Sequence, residues 1–516
     1  MNGDTAKSIS VLDTTLRDGE QTPGIAYTPS EKLHVARMLL NDVGVDRIEI
    51  VSARASRGEL EGAQRVTAWA EEAGLIGRVE MLGFCDADRS VDWIRNAGGR
   101  VVNLLTKGSE RHCREQLGMT PKQHVQRIVD TVNHARERDV RVNVYLEDWS
   151  NGIRHGFDYV RRLVDALQGL DVERVLLADT LGILSPDDVR RFVSLMTVTW
   201  PNTTFDFHGH NDYGLATANA IAAIQSGAAG IHTSVNGLGE RAGNTSLAEI
   251  VTAIADHTEF RTNINESRLA AVSELVETFS GKNISANTPI LGADVFTQTA
   301  GIHADGDAKG DLYATRLAPQ RFGRERRYAL GKLSGKASLD HNLSQLGIRL
   351  SDANRKKVLD RIIELGDKKH TVVPEDLLMI IADVLKTPAE HLVRIKRYKI
   401  DVASDRPPSA SVSVSFKGRT SEASGTGDGG YDAFMKALAE AVSPHGIDMP
   451  QLADYRVRIP PGGRTEALVE TLIQWSDSSN GRRFSTVGVD TDQTAAAVIA
   501  TEKMLNIIAH DRARGG

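Results

Sequence analysis

The chain has 516 residues, 41% hydrophobic and 25% charged, which excludes wholesale disorder and at about 150 residues per domain implies roughly three domains. Lys plus Arg total 62 against 68 Asp plus Glu, a net charge of −6, which excludes a generally basic nucleic-acid or membrane-surface protein. The two cysteines, Cys85 and Cys113, are too few for a disulfide framework or a cysteine-based zinc site.

The start, MNGDTAKSISVLD, has no basic stretch followed by an apolar run, and no segment approaches about 18 consecutive apolar residues. The expectation is a soluble, cytoplasmic, multidomain protein. Eight β-branched or aliphatic runs then recur over the first 240 residues. They are ISVLDTT from Ile9, DRIEIVSA from Asp46, RVEMLGF from Arg78, RVVNLLTK from Arg100, VRVNVYLED from Val140, ERVLLADT from Glu173, TTFDFHGHND from Thr203 and AGIHTSVNGLGER from Ala229. Between them lie stretches of helical spacing such as SEKLHVARMLLNDVG and HVQRIVDTVNHARERD, several ending in glycine. Run starts are about 31 residues apart, the length of one βα unit. The runs are continuously apolar, as in a parallel sheet covered on both faces. Eight such units predict an α/β fold, a (β/α)8 TIM barrel, over residues 1–280. An open doubly wound sheet is the alternative, weakened because no G-x-G-x-x-G opens the first βα turn.

After about Phe279 this rhythm stops. Residues 281–396 read as a Gly- and Pro-rich linker followed by helical segments, including DANRKKVLDRIIELGD and VPEDLLMIIADVLK. A basic cluster, Arg321, Arg324, Arg326, Arg327, Lys332 and Lys336, lies within it. Residues 397–516 carry two copies of strands followed by a helix, a duplicated βββα unit and so a C-terminal α+β domain. In the first copy RYKIDVAS, Pro407-Pro408 and SASVSVSFKG precede the helix YDAFMKALAEAVS. In the second, YRVRIPP, EALVETLIQWSD and RRFSTVGVD precede AAAVIATEKMLNIIAH. GTGDGG is a weak phosphate-loop signal, since no Lys-Ser/Thr follows it.

The polar residues concentrate at the C-terminal ends of the barrel runs, where βα loops converge and barrel active sites form. His208 and His210 stand at i and i+2, so on a strand both point to one face. With Asp18 from the first run they make a site of two histidines and one carboxylate, to which Asn244 can add an amide oxygen. Such mixed N and O ligands suit Mn2+, Zn2+, Fe2+ or Co2+, with Mg2+ a further candidate, and the sequence does not choose among them. A divalent ion beside Arg17 suits a chelating 2-oxo acid, the metal polarising the ketone and Arg17 stabilising negative charge on oxygen. Glu147 shares a strand face with Tyr145 and can position the substrate or relay a proton.

LDTTLRDGEQTPG, HGHNDYGLATANAIAAIQSGA, NGLGERAGNTSLAEIV and TQTAGIHADG together resemble the 2-isopropylmalate, homocitrate and citramalate synthases. Those are metal-dependent enzymes that condense acetyl-CoA with a 2-oxo acid, in the metallolyase superfamily named for its barrel and its Asp-Arg-Glu motif. The resemblance implies that Asp18, His208, His210 and Asn244 are metal ligands and that Arg17 stabilises the enolate or alkoxide. It implies that Glu147 and Thr180 contact the 2-oxo acid, with Glu147 in proton transfer. Leu82, Leu105 and Tyr145 resemble the pocket of the citramalate synthases, which points to pyruvate as substrate, (R)-citramalate as product and isoleucine as feedback inhibitor. The alternative is a 2-isopropylmalate synthase using 2-oxoisovalerate and inhibited by leucine. The family's linker crosses to a partner subunit, making a homodimer in which His303, Asp305 and Tyr313 complete the partner's catalytic stretch. Asp311 departs from the family's Asn, and the basic cluster is a candidate for CoA phosphates. The C-terminal domain is expected to bind a branched-chain amino-acid effector, with Tyr431, Asp432, Leu452, Tyr455, Val469 and Gln493 as candidates. No nucleic-acid or membrane partner is expected.

Overall fold

The computed structural model describes residues 7–86, 88–299, 305–306, 309–310, 312–345, 348–367, 372, 376–377, 380–381, 384, 392–458, 469–477 and 482–514. Each of the eight apolar runs holds one strand: β1 (Ser10–Asp13), β2 (Arg47–Ser52), β3 (Val79–Phe84), β4 (Val101–Lys107), β5 (Arg141–Glu147), β6 (Arg174–Asp179), β7 (Phe205–Gly209) and β8 (Gly230–Thr233). They pair in parallel and in chain order, and β8 closes on β1, Val11 opposite Ile231. The predicted barrel is therefore the fold. Its β-branched and aliphatic strands are buried on both faces because helices cover the outside and side chains fill the inside.

Local sequence explains where the outer helices begin. Helices Pro29–Arg37, Pro121–Glu137 and Pro186–Thr199 each follow a Ser or Thr N-cap and open with proline. In each, the cap hydroxyl accepts the third residue's N–H while that residue's side chain accepts the cap's N–H, so two orphan donors are satisfied reciprocally. Lys32 on the first of these helices is only 1% exposed. Its ammonium donates to the carbonyls of Leu16 and Ile50 and to Glu20 and Glu59, tying the loop after β1 to the end of β2. The other oxygen of Glu20 accepts the Tyr27 N–H at 2.7 Å. Glu20 thus shapes the loop that carries Arg17 and Asp18.

The chain divides into two compact units, Met1–Phe296 with Thr315–Glu325 and Thr297–Ala314 with Arg326–Gly516. The segment read as a linker is thus shared between them. In the second unit β9 (Thr297–Gln298) pairs with β10 (Arg327–Tyr328), and helices Lys336–Gln345 and Asp352–Asp367 bury Leu339, Leu343, Val358 and Ile362. The C-terminal part is two antiparallel sheets, β11 (Val393–Ala403), β12 (Arg406–Phe416), β13 (Arg419–Thr426) and β14 (Gln451–Arg458), β15 (Val469–Asp477), β16 (Arg482–Asp490). Helix Gly430–Val442 follows the first sheet and Gln493–Arg514 the second, and residues of both copies share one core.

Two local readings change. β13, RTSEASGT, has no apolar run, because the helix sits directly on it; a Cβ on Gly425 would stand 2.8 Å from the Ala437 nitrogen. Pro407 and Pro408 lie inside β12 rather than before it, at the register shift between Asp401 and Ala403, where no ladder donor is required of them. Among the described residues no helix is long and apolar enough to cross a membrane.

Candidate active site

Strand register stacks the barrel interior in layers. Asn103, Asn143 and Arg174 are level across β4, β5 and β6; Leu105, Tyr145 and Leu176 form the next layer; Lys107 and Glu147 close the C-terminal end. Leu82, Tyr145, Leu176 and Ala178 make an apolar cluster with Leu105 packed against it. Leu82, Leu105 and Tyr145 therefore do come together, joined by two residues the sequence reading passed over. The hint was β6 itself, where Leu176, Ala178 and Thr180 recur at i, i+2 and i+4.

Asp18, His208 and His210 converge at the mouth of the barrel, all buried. Asp18 Oδ2 lies 3.3 Å from His208 Nε2 and 3.8 Å from His210 Nε2, and the two Nε2 atoms are 3.3 Å apart. Donors each about 2.1 Å from one ion stand about 3.0–3.4 Å apart in octahedral or tetrahedral arrangement, so the spacing fits a metal site. The electrostatics fit as well. Burial alone would raise Asp18, but Arg17 and the two imidazoles outweigh it and hold the carboxyl well below its usual range. Burial, with His208 beside it, pushes His210 down to about 4, so it is the neutral imidazole that a metal needs.

Asn244 arrives from the loop after β8, which pairs with the end of β7 through Asn211 N–H to Gly243 O and Thr245 N–H to Gly209 O. Only glycine fits at 243: φ is +87°, and a Cβ there would meet the Gly237 carbonyl oxygen at 1.9 Å. The Asn244 amide nitrogen donates to Asp18 and to the Leu238 carbonyl, while its oxygen is buried without a hydrogen-bond partner. A buried orphan amide oxygen beside two histidines and an aspartate is a ready cation ligand.

Arg17 is held by a residue not singled out in the sequence. Its Nε donates to Glu49 on β2 at 2.5 Å, its Nη1 stands 3.3 Å from Asp18, and it lies 5.9 Å from the Tyr145 ring centroid. Glu49 in turn accepts from Asn103, and Asn103 accepts from Asn143. Glu147 pairs with Lys107, also not anticipated. The Thr180 hydroxyl accepts the Asp148 N–H at 2.8 Å, holding the loops after β5 and β6 together. Arg54, Asp148, Asn236 and Arg241, all non-glycine residues with positive φ, follow the ends of β2, β5 and β8. Sterically costly backbone gathers at this rim, as it does at functional sites.

The remaining candidates distribute as follows. His303 and Asp311 lie outside the described residues. Asp305 pairs with Lys309 at 2.6 Å, and Tyr313 is 40% exposed; both belong to the second unit. The basic cluster is divided between the two units. Arg321 is committed to Asp256 and Glu266, which leaves its guanidinium no spare donor edge for a phosphate, and Arg324 donates to the carbonyls of Ile290, Leu291 and Gly292. Lys332 and Lys336 stand 3.6 Å from Asp367 and 3.3 Å from Asp352 in the other unit. Of the effector candidates, Tyr431 and Tyr455 meet at 5.3 Å, with Thr501 bonded to the Tyr431 hydroxyl and Gln493 beside Tyr455. Asp432 turns to Lys436 on its own helix. Leu452 on β14 pairs with Trp475 near the end of β15, whereas Val469 begins β15 opposite Asp490, so within one chain they lie at opposite ends of that sheet.

Three family profiles cover the chain: HMGL-like over residues 8–276, the homocitrate synthase post-HMGL domain over 290–370, and the LeuA allosteric (dimerisation) domain over 371–509. An (R)-citramalate synthase of Methanocaldococcus jannaschii is 33% identical over 468 residues, 90% of this chain and 93% of that protein. A Methanopyrus kandleri protein named "Probable 2-isopropylmalate synthase" is 33% identical over 506 residues, 98% of this chain and 99% of its own. The solved hydroxymethylglutaryl-CoA lyase of Pseudomonas aeruginosa is 21% identical, with a TM-score of 0.47 over 54% of this chain and 94% of that one.

Proposed function

This chain belongs to the HMGL-like enzymes of the 2-isopropylmalate and citramalate synthase family, and from that premise we propose that it condenses acetyl-CoA with pyruvate to give (R)-citramalate and CoA. The observation that carries the choice of pyruvate is the apolar cluster of Leu82, Leu105, Tyr145, Leu176 and Ala178, in which Ala178 stands level with His208 of the buried triad and Leu176 two residues below. These five side chains offer no cation to a distal carboxylate, and their bulk favours a methyl group over an isopropyl group.

Asp18, His208, His210 and Asn244 would hold a divalent ion, which when bound supplies Lewis-acid polarisation of the ketone. Arg17, fixed by Glu49, keeps its charge beside Asp18 and stabilises negative charge developing on the substrate oxygen. Thr180 and Glu147 orient the 2-oxo acid, and Lys107 holds the Glu147 carboxylate in place. In the reaction a proton leaves the acetyl methyl group, that carbon bonds to the ketone carbon, the ketone oxygen takes up a proton, and water cleaves the thioester to release CoA. His303 and Tyr313 are the candidates for the first proton transfer, with Asp305 beside them. They act in the partner's site of a cytoplasmic homodimer whose C-terminal domain binds isoleucine.

The test is a substrate panel. Thiol release from acetyl-CoA is followed with Mn2+ and with pyruvate, 2-oxobutanoate or 2-oxoisovalerate. The expected kcat/KM for pyruvate exceeds that for 2-oxoisovalerate by tenfold or more, roughly the weight of one or two methyl groups in a close pocket. A higher value for 2-oxoisovalerate overturns the reading in favour of 2-isopropylmalate synthase.

A further inference from the structure

Tyr145 lines an apolar cluster yet carries a hydroxyl, so where that hydroxyl points decides what a substrate side chain meets. It points across the barrel to β8, where its oxygen lies 2.9 Å from His232 Nδ1. Both residues are buried. The other imidazole nitrogen faces Asp206 Oδ2 at 3.6 Å. Asp206 is itself anchored by Arg47 at 2.5 Å and Arg174 at 2.8 Å, and Arg47 also holds Glu80 at 3.0 Å. This quartet of two carboxylates and two guanidiniums is charge-balanced, which fixes Asp206 on the far side of the ring.

No hydrogen bond joins Nε2 to Asp206 at that distance, but the fixed carboxylate on that side favours the neutral imidazole's proton on Nε2, which leaves Nδ1 as acceptor. In that tautomer Tyr145 donates its one hydroxyl proton to His232, and the hydroxyl has no donor left for the pocket. The tyrosine ring stands edge-on to His208 and to His232, with centroids 5.8 Å and 5.4 Å away. Withdrawal of the ring would strand both a hydroxyl and a ring nitrogen in a dry interior.

We propose that His232, held by Asp206, is a positioning residue that sets substrate selectivity by locking Tyr145 with its hydroxyl turned away and its ring projecting into the 2-oxo acid pocket. The inference rests on the reading that this site takes a small 2-oxo acid. It gives the barrel's interior charge quartet a task beyond folding, since the quartet orients the histidine that orients the tyrosine.

The test measures kcat/KM for pyruvate, 2-oxobutanoate and 2-oxoisovalerate on the full chain with Mn2+, alongside melting temperatures. The variants are His232→Leu, His232→Asn, Tyr145→Phe and the His232→Leu/Tyr145→Phe double. Asn places an acceptor oxygen near the position of Nδ1, whereas Leu places none. The expected result is a roughly tenfold loss of the pyruvate preference in His232→Leu, the weight of about one methylene of pocket space. His232→Asn keeps the preference within about twofold of wild type, and His232→Leu adds nothing in the Tyr145→Phe background. Should His232→Leu fail to fold, Tyr145→Phe removes the same hydrogen bond and must relax the preference in the same direction. A wild type that prefers 2-oxoisovalerate overturns the pyruvate reading. A wild type that prefers pyruvate, with the ratio unmoved in His232→Leu or Tyr145→Phe, overturns the role of His232.

Discussion

His208 stands 3.3 Å from both other members of the buried triad, so removing it opens the whole donor set. His208→Ala is expected to weaken Mn2+ or Zn2+ binding at least about a hundredfold, the upper cost of losing even an outer-shell partner, and to abolish thiol release. Calorimetric titration of the full chain with the metal alone checks this, and unchanged affinity removes His208 from the ligand set. The triad was legible because a strand gives H-x-H one meaning: two side chains on one face. Glu49, Lys107 and His232 were not legible. Glu49 is one acidic residue in DRIEIVSA, and its partner Arg17 lies 32 residues away; Lys107 and Glu147 are 40 apart, Tyr145 and His232 87 apart. No local pattern joins such pairs.

On helix Pro121–Glu137 the same contrast appears between ends and faces. Its start is written in TPKQ, a capping box with proline at its first position. Its buried His124 has a role that only packing reveals. Nε2 accepts the Lys107 N–H, Nδ1 donates to the Tyr159 oxygen, and that hydroxyl donates to the Lys107 carbonyl, so the imidazole secures the end of β4. Burial, with Lys107 and Arg127 nearby, pushes His124 down to about 4. An unfolded histidine titrates near 6.5, so the native state resists a proton that the unfolded chain accepts. The contribution is complete above pH 6.5 and is lost as pH falls towards about 4, amounting to roughly 3 kcal/mol. Thermal unfolding at pH 7.5 and 4.5 should show a smaller acid-induced fall in Tm for His124→Gln than for wild type. Equal falls would remove His124 from the acid response. β13 marks the opposite limit, since a strand covered by a closely seated helix carries small residues in place of an apolar run.

At the scale of the whole molecule, the match to a LeuA allosteric (dimerisation) domain over residues 371–509 gives the duplicated βββα region a regulatory reading. Isoleucine is expected to lower the condensation rate of the full chain while equimolar leucine leaves it higher. Tyr431→Ala, which removes the ring packed on Tyr455 and the bond to Thr501, should raise the half-inhibitory isoleucine concentration about tenfold, the equivalent of about 1.4 kcal/mol. Stronger inhibition by leucine would reassign the effector, and an unshifted Tyr431→Ala curve would move the pocket elsewhere. By itself the sequence determined the eightfold βα repeat, the duplicated C-terminal unit and the strand-end positions of Arg17, Asp18, His208 and His210. Each of these is expressed in spacings of a few residues or in a regular period. Only the tertiary structure decided that Glu49 holds Arg17, that Lys107 meets Glu147, that Arg321 is spent on Asp256 and Glu266, and that Tyr145 turns its hydroxyl to His232. Closing a barrel brings residues from distant strands to one level, and the register of that closure is a property of all eight strands together.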